Sequence, residues 1–238
     1  MLLIGEANCN ISISGLSEHE LAGYAELLFD DIEQAAERFV RLPDYELHLD
    51  VEEGSILTKQ RILVGIGTLY FGIGNYGSFI QGVREIKEQV KTVADVFLSS
   101  APDRLSAPRE LIIKKNKSSA KLGELDRLFE SVANGEMTPR AATDQALKVL
   151  EDDEKPPENL RRDIEKSIAK IKKHPEQVPF AGEGYETPSG LIVQTQRVPP
   201  KKPLLPPPAI AIPTTNKLRI EVWRESKSGK KNVRIVPL

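Results

Sequence analysis

Ile62-Leu-Val-Gly-Ile-Gly-Thr-Leu-Tyr-Phe-Gly-Ile-Gly-Asn-Tyr-Gly-Ser-Phe-Ile-Gln-Gly-Val83 is a run without a charge, closed at its ends by Arg61 and Arg84. Twelve of its residues are apolar or Tyr, six are Gly and four are polar (Thr68, Asn75, Ser78, Gln81). As one helix it would extend about 33 Å at roughly 1.5 Å per residue, enough to cross the hydrocarbon core of a bilayer. Lys59, Arg61, Arg84 and Lys87 then stand where they would meet lipid headgroups. Gly-Ile-Gly recurs after a heptad, so Gly65 stacks over Gly72 and Gly67 over Gly74. With Gly77 and Gly82 they would let membrane helices pack closely, while Asn75, Ser78 and Gln81 would face a lumen or another subunit. The ten Ile, Leu, Val and Phe residues of the run give at most roughly −3 to −6 kcal/mol of insertion free energy. One isolated copy is therefore marginal, and an oligomer that buries the polar edge inserts better.

Two other readings compete. In the first, 62–83 is a buried helix or helix pair in a soluble core, with glycines where elements touch. In the second, Gly72-Ile-Gly-Asn-Tyr-Gly77 is a GxGxxG phosphate loop, preceded by a strand at Leu69-Tyr70-Phe71. That reading needs a second strand ending in an acid about 20 residues on. Asp95 has about the right spacing but falls inside a helical pattern.

Outward from this run, the chain divides by composition. Residues 1–55 are an acidic α+β unit with 13 acidic and two basic side chains. Ile11 and Ile13 suggest a short strand. Ser17-Glu18-His19-Glu20 is a capping box opening an amphipathic helix that runs to Phe39. Leu47, Leu49 and Val51 alternate with Glu46, His48 and Asp50 as a second strand. Residues 56–101 hold the Gly-rich segment and an amphipathic helix from 84 that ends near Pro102, and 102–118 read as a slightly basic loop. Residues 119–174 read as an αα-hairpin and a third helix. The hairpin turns at Asn134-Gly135, and Thr138-Pro139 restarts it. Residues 175–216 are a Pro/Gly-rich linker with one candidate strand at Leu191–Val198, and 199–213 hold seven prolines. Residues 217–238 form a basic β-hairpin around Ser226-Lys227-Ser228-Gly229. The expected class is α+β.

Residues 199–238 carry nine basic and two acidic side chains, against the net −11 of 1–55. The asymmetry calls either for an external partner or for a basic end folded back on the acidic beginning. The whole-chain charge of −2 gives no case for nucleic acid. One cysteine and three scattered histidines (His19, His48, His174) argue against a disulfide framework and a metal centre, and no cofactor is expected. Cys9 lacks a basic activator. Glu52-Glu53 and Asp30-Asp31 read as solvated acidic face, Lys114-Lys115-Asn116-Lys117 and Lys230-Lys231 as solvated loop, and Trp223 as a packing anchor. Met1-Leu2-Leu3-Ile4 followed by Gly5-Glu6 has no basic n-region, so secretion is not expected.

Residues 46–98, with Val51-Glu-Glu-Gly-Ser55, the uncharged Gly-rich stretch and Asn75-Tyr-Gly77, resemble small bacterial proteins with one membrane segment, including effectors of anti-phage defence systems. The similarity covers under a quarter of the chain. It implies an oligomeric, non-catalytic, membrane-perturbing or channel-forming effector at the bacterial inner membrane. Asn134-Gly-Glu-Met-Thr-Pro139 is similar to small αα-hairpin modules that mediate oligomerisation. The leading expectation is thus a non-enzymatic, self-associating protein that contacts a membrane. A soluble interaction module, whose arm and hairpin (199–238) bind a protein partner, comes second.

Overall fold

The computed structural model describes residues 1–13, 15–151, 156–172 and 217–238. The candidate strand at 191–198, the proline-rich stretch 199–213 and His174 lie outside them. The class is α+β. Six strands, β1 (Leu2–Ile11), β2 (Glu46–Glu52), β3 (Ile56–Val64), β4 (Ile112–Ser118), β5 (Leu218–Arg224) and β6 (Asn232–Pro237), form one antiparallel sheet in the order β4-β1-β3-β2-β5-β6. Helices α1 (Glu18–Phe39), α2 (Ile66–Gly74), α3 (Phe79–Arg104), α4 (Ala120–Ala133), α5 (Pro139–Val149) and α6 (Leu160–Ala169) complete the described body.

Pleating explains the layers. Leu47, Leu49 and Val51 of β2 and Ile220 and Val222 of β5 point to the side where α1 and α3 lie, and all are buried. Glu46, His48, Asp50 and Glu52 alternate with them on the other side and are half-buried. Helix α1 meets this core with Leu21, Tyr24, Leu28, Phe29 and Ile32. Its capping box is complete: Glu20 N donates to Ser17 Oγ at 3.3 Å, and Ser17 N donates to Glu20 Oε2 at 2.8 Å. Such a cap stabilises a helix by about 1 kcal/mol. Helix α3 crosses β1 at Gly5, where an added Cβ would run into Val90 Cγ1.

The charge-free run is not one helix, which corrects the membrane-span geometry. Ile62 to Val64 finish β3, Gly65 is the N-cap of α2, residues 75–78 turn the chain, and Phe79 opens α3. Seven of its twelve large side chains, Ile62, Val64, Ile66, Leu69, Ile73, Phe79 and Val83, are buried; Leu63, Tyr70, Tyr76 and Ile80 are half-buried and Phe71 is exposed. No described helix is long and apolar enough to cross a membrane. The strand expected at Leu69–Phe71 is the middle of α2, and Asp95 sits in α3 paired with Lys117. The phosphate-loop reading therefore loses both of its strands. The loop expected at 102–118 contains a 3-10 turn (Arg109–Leu111) and the edge strand β4.

The basic end folds back on the acidic beginning. β5 pairs with β2, and Arg224, 2% exposed, reaches Glu33 and, at 3.1 Å, Glu37 on α1. Its guanidinium also stacks 5.8 Å above the Tyr45 ring. Arg219 binds Glu52 at 2.6 Å, Lys231 binds Asp30 at 2.5 Å, and Lys227 N donates to Asp44 at 2.6 Å. The hairpin thus supplies two strands of the same sheet and a buried cation to α1. The Gln60 amide in the core has no such answer. Gln60, 1% exposed on β3 between Ala7 and Leu49, has no partner for either amide atom.

Candidate functional site

The elbow between α2 and α3 positions the candidate site. Gly77 has a positive φ, a left-handed conformation that strains a residue with a Cβ. Ser78 then caps α3, its Oγ accepting from Gln81 N at 3.2 Å. The two helices touch where Gly82 lies against Ile73, and a Cβ at Gly82 would stand 2.5 Å from the Ile73 carbonyl oxygen. Tyr76 OH accepts from Gln89 Nε2 at 2.7 Å and fixes the turn to α3.

Helices α4 and α6 pack beside this elbow. Phe79 meets Phe129 edge to face, with ring centroids 6.4 Å apart. That is a favoured arrangement of two aromatic quadrupoles. Arg84 donates to Asp126 at 2.8 Å and also binds Glu130, and Lys87 binds Asp126. Burial raises the Asp126 pKa, but the bonds from Lys87 and Arg84 outweigh it and leave the carboxyl below its usual value. On the α6 side, Tyr70 OH donates to Asp163 at 2.5 Å, which pushes the phenol above its ordinary pKa. Phe79 N donates to Ser167 Oγ at 3.3 Å.

Between these elements lies a groove of about 880 Å³. Its apolar lining comes from Ile73, Phe79, Ile80, Phe129 and Ile171, and Phe71 stands at the margin, 66% exposed. Lys166, Lys170 and Lys172 line it from α6 and the residues just after it. None of the three has an ion-pair partner among the described residues. A volume of this size falls within the roughly 300–1,000 Å³ of small-ligand sites, which join apolar walls to a few fixed polar groups.

A second concavity of about 400 Å³ lies on the opposite face of the sheet, around His48, Arg61, Arg219, Trp223 and Arg234. Its cations are answered locally. Arg61 binds Asp50 at 2.6 Å, Arg219 binds Glu52, and Arg234 binds Glu221 while lying over the Trp223 ring. His48 lies 3.2 Å from Glu46. A ligand there would have to break existing pairs, so the α2–α3 groove is the better candidate.

The sequence-derived site residues separate by role. Gly74, Asn75, Gly77, Ser78 and Arg84 line the groove. Gly72 and Gly82 are packing positions: a Cβ at Gly72 would run into Leu42 Cδ2. Gly67 and Gly74 have nothing within 4 Å of an added Cβ, so the expected stacked pairs Gly65/Gly72 and Gly67/Gly74 do not form two packed faces. Gln81 belongs to the α3 cap. Lys59 binds Glu6 at 3.1 Å, so all four flanking cations are engaged within the chain. Cys9 is fully buried, and burial pushes its thiol pKa up. Among the described residues no three His, Cys, Asp or Glu side chains are grouped to hold a metal.

Sequence reasoning missed the wall built by α6. Its signal was present: Lys166 and Lys170 stand one helical turn apart, off the buried stripe of Leu160, Ile164 and Ile168. No protein-family model, no curated protein and no solved structure matches the chain.

Proposed function

We propose that the chain is a non-catalytic binding module whose working surface is the α2–α3 groove. The supporting observation is the meeting, in one concave site, of an apolar lining with three lysines that form no ion pair among the described residues and that outnumber the groove's two carboxylates, Glu130 and Asp163. Elsewhere on the described body about half of the cations sit in ion pairs, as at Arg104, Arg219 and Arg224, so what sets these lysines apart is their place beside an apolar recess. Exposed, unanswered charge next to apolar surface is the pattern of a recognition site.

The test is titration of the full chain with anilinonaphthalene sulfonate, an aromatic anion that fluoresces in apolar sites. Wild type enhances the dye, and Gly74→Trp, which projects a large ring into the groove from a position with open space, abolishes the enhancement without changing the circular dichroism. Equal enhancement by the variant refutes the groove as the site.

A second reading keeps membrane contact, now peripheral. Phe71 is exposed at the groove margin near the lysines, and an aromatic beside cations suits an anionic lipid interface. In this reading the chain rests on the membrane through Phe71 and the elbow, and self-association adds avidity. Flotation with anionic vesicles that is lost in Phe71→Ser supports it. Absence of flotation removes it.

A further inference from the structure

Part of the polar capacity inside the groove is already committed, and the rest bears on the ligand. Ser78 Oγ accepts from Gln81 N, Ser167 Oγ accepts from Phe79 N, and Asp163 accepts from Tyr70 OH. Arg84 is held by Asp126 and Glu130. The neutral polar groups left to a ligand are the Asn75 amide and the hydroxyl protons of Ser78 and Ser167. The strongest uncommitted features are the apolar surface and the ammonium groups of Lys166, Lys170 and Lys172, the lining cations without an ion pair among the described residues. An ammonium is a compact point charge with three donors, suited to a carboxylate or phosphate.

We infer that the groove binds a free single-chain acyl anion, the chain lying along Phe71, Ile80 and Ile171 over the buried floor of Ile73, Phe79 and Phe129, and the acidic head meeting the α6 lysines. This inference rests on the groove being the working surface. Charge complementarity chooses the head, and concavity chooses a free amphiphile over a bilayer, because a flat lipid surface cannot fill a recess of about 880 Å³. A plainer role for Lys166 and Lys170 is to offset the negative end of the α6 dipole. That role predicts an effect on melting, not on ligand choice.

The experiment is calorimetric titration of the full chain with dodecanoate and with dodecyltrimethylammonium, both below micelle formation, for wild type and Lys166→Glu/Lys170→Glu. The two ligands share a tail length and differ in the sign of the head. Wild type binds dodecanoate and prefers it over the cation. The double variant loses roughly tenfold or more in dodecanoate affinity, as expected when charge-assisted contacts are removed, and the preference reverses. Added salt weakens the wild-type preference, since exposed ion contacts are screened over a Debye length of about 8 Å at 0.15 M. The milder variant Lys166→Ala/Lys170→Ala, with its melting curve, separates lost binding from lost fold.

Equal binding of both ligands by wild type overturns the acyl-anion assignment while leaving the groove as a binding surface. Dodecanoate affinity unchanged in both variants also overturns it, leaving only the dipole role for the lysines. Lysine-dependent binding to phosphatidylglycerol vesicles with no dodecanoate binding overturns it in favour of a bilayer headgroup. Failure of both ligands and of the aromatic dye removes the groove reading itself.

Discussion

Alanine substitutions in the glycine run distinguish close packing within the chain from packing between membrane helices. At Gly82 an added Cβ would stand 2.5 Å from the Ile73 carbonyl oxygen and 2.8 Å from its Cα, both backbone atoms that cannot rotate away. Forcing such a methyl into a filled contact costs about 1–3 kcal/mol. Replacing a helical glycine by alanine returns about 0.5–1 kcal/mol. The net for Gly82→Ala is a loss centred on about 1 kcal/mol and reaching about 2.5 kcal/mol, or a fall in Tm of roughly 2–4 °C per kcal/mol for a chain of this size. Gly67→Ala and Gly74→Ala enter open space. Each should gain about 0.4–1 kcal/mol by restricting the unfolded chain. Gly72→Ala falls between them, because the atom it meets is the mobile end of Leu42. Urea unfolding followed by circular dichroism measures all four, with an unchanged m-value as the control on two-state behaviour. If Gly67→Ala loses as much as Gly82→Ala, both glycine faces are packed, and the elbow geometry is refuted in favour of helix association along the whole run.

Two further expectations concern the core and its rim. Gln60→Met replaces a buried, unpartnered amide with an apolar side chain of similar shape, and should stabilise by about 1–2 kcal/mol, since an unsatisfied buried group costs roughly 1–3 kcal/mol. A loss of stability in denaturant unfolding would show that the amide has a polar partner. Asp31, Asp126 and Glu6 all have lowered carboxyl pKa values. At Asp31 the Arg104 bond is the largest cause; at Asp126 and Glu6 burial raises the value, but cationic and hydrogen-bonding neighbours prevail. Depressed carboxyls contribute stability above their unfolded values, about pH 4, and that stability drains away as pH falls through the lower folded values. The urea midpoint should therefore decline below about pH 4, and less steeply in Asp126→Asn; a flat profile from about pH 6 down to about pH 2.5 contradicts the assignment.

Legibility in the sequence followed burial. Helix α1 was readable because one stripe is buried and its cap is a local motif, and β2 because its two faces differ. β3 was hidden because its inward positions include the polar residues Thr58 and Gln60, while Leu57 and Leu63 alternate on the other side. That breaks the apolar alternation, and its last three residues merge with the glycine run. β1 was hidden by the register shift between Leu3 and Gly5, which changes the phase of the alternation. β4 is an edge strand with its side chains mostly exposed, so nothing in Ile112–Ser118 needs to alternate.

The charge-free run looked like a membrane segment for a reason that bears on function. Three demands exclude charge from it in succession. Its first residues end a core strand, its middle lies where α2 meets α3, and Ile73, Gly74, Asn75, Gly77, Ser78, Phe79 and Ile80 line the groove. No single demand lasts long enough to make a span, but together they mimic one. The lysines that line the groove come from α6 and the residues just after it, far along the chain and beyond two intervening α-helices, α4 and α5. A composite site of this kind leaves half its chemistry in each of two segments. The apolar half resembles core or membrane, and the cationic half resembles an ordinary solvated helix. Only the folding of α6 against the elbow, through Tyr70 to Asp163 and Phe79 to Ser167, brings the two into one recess.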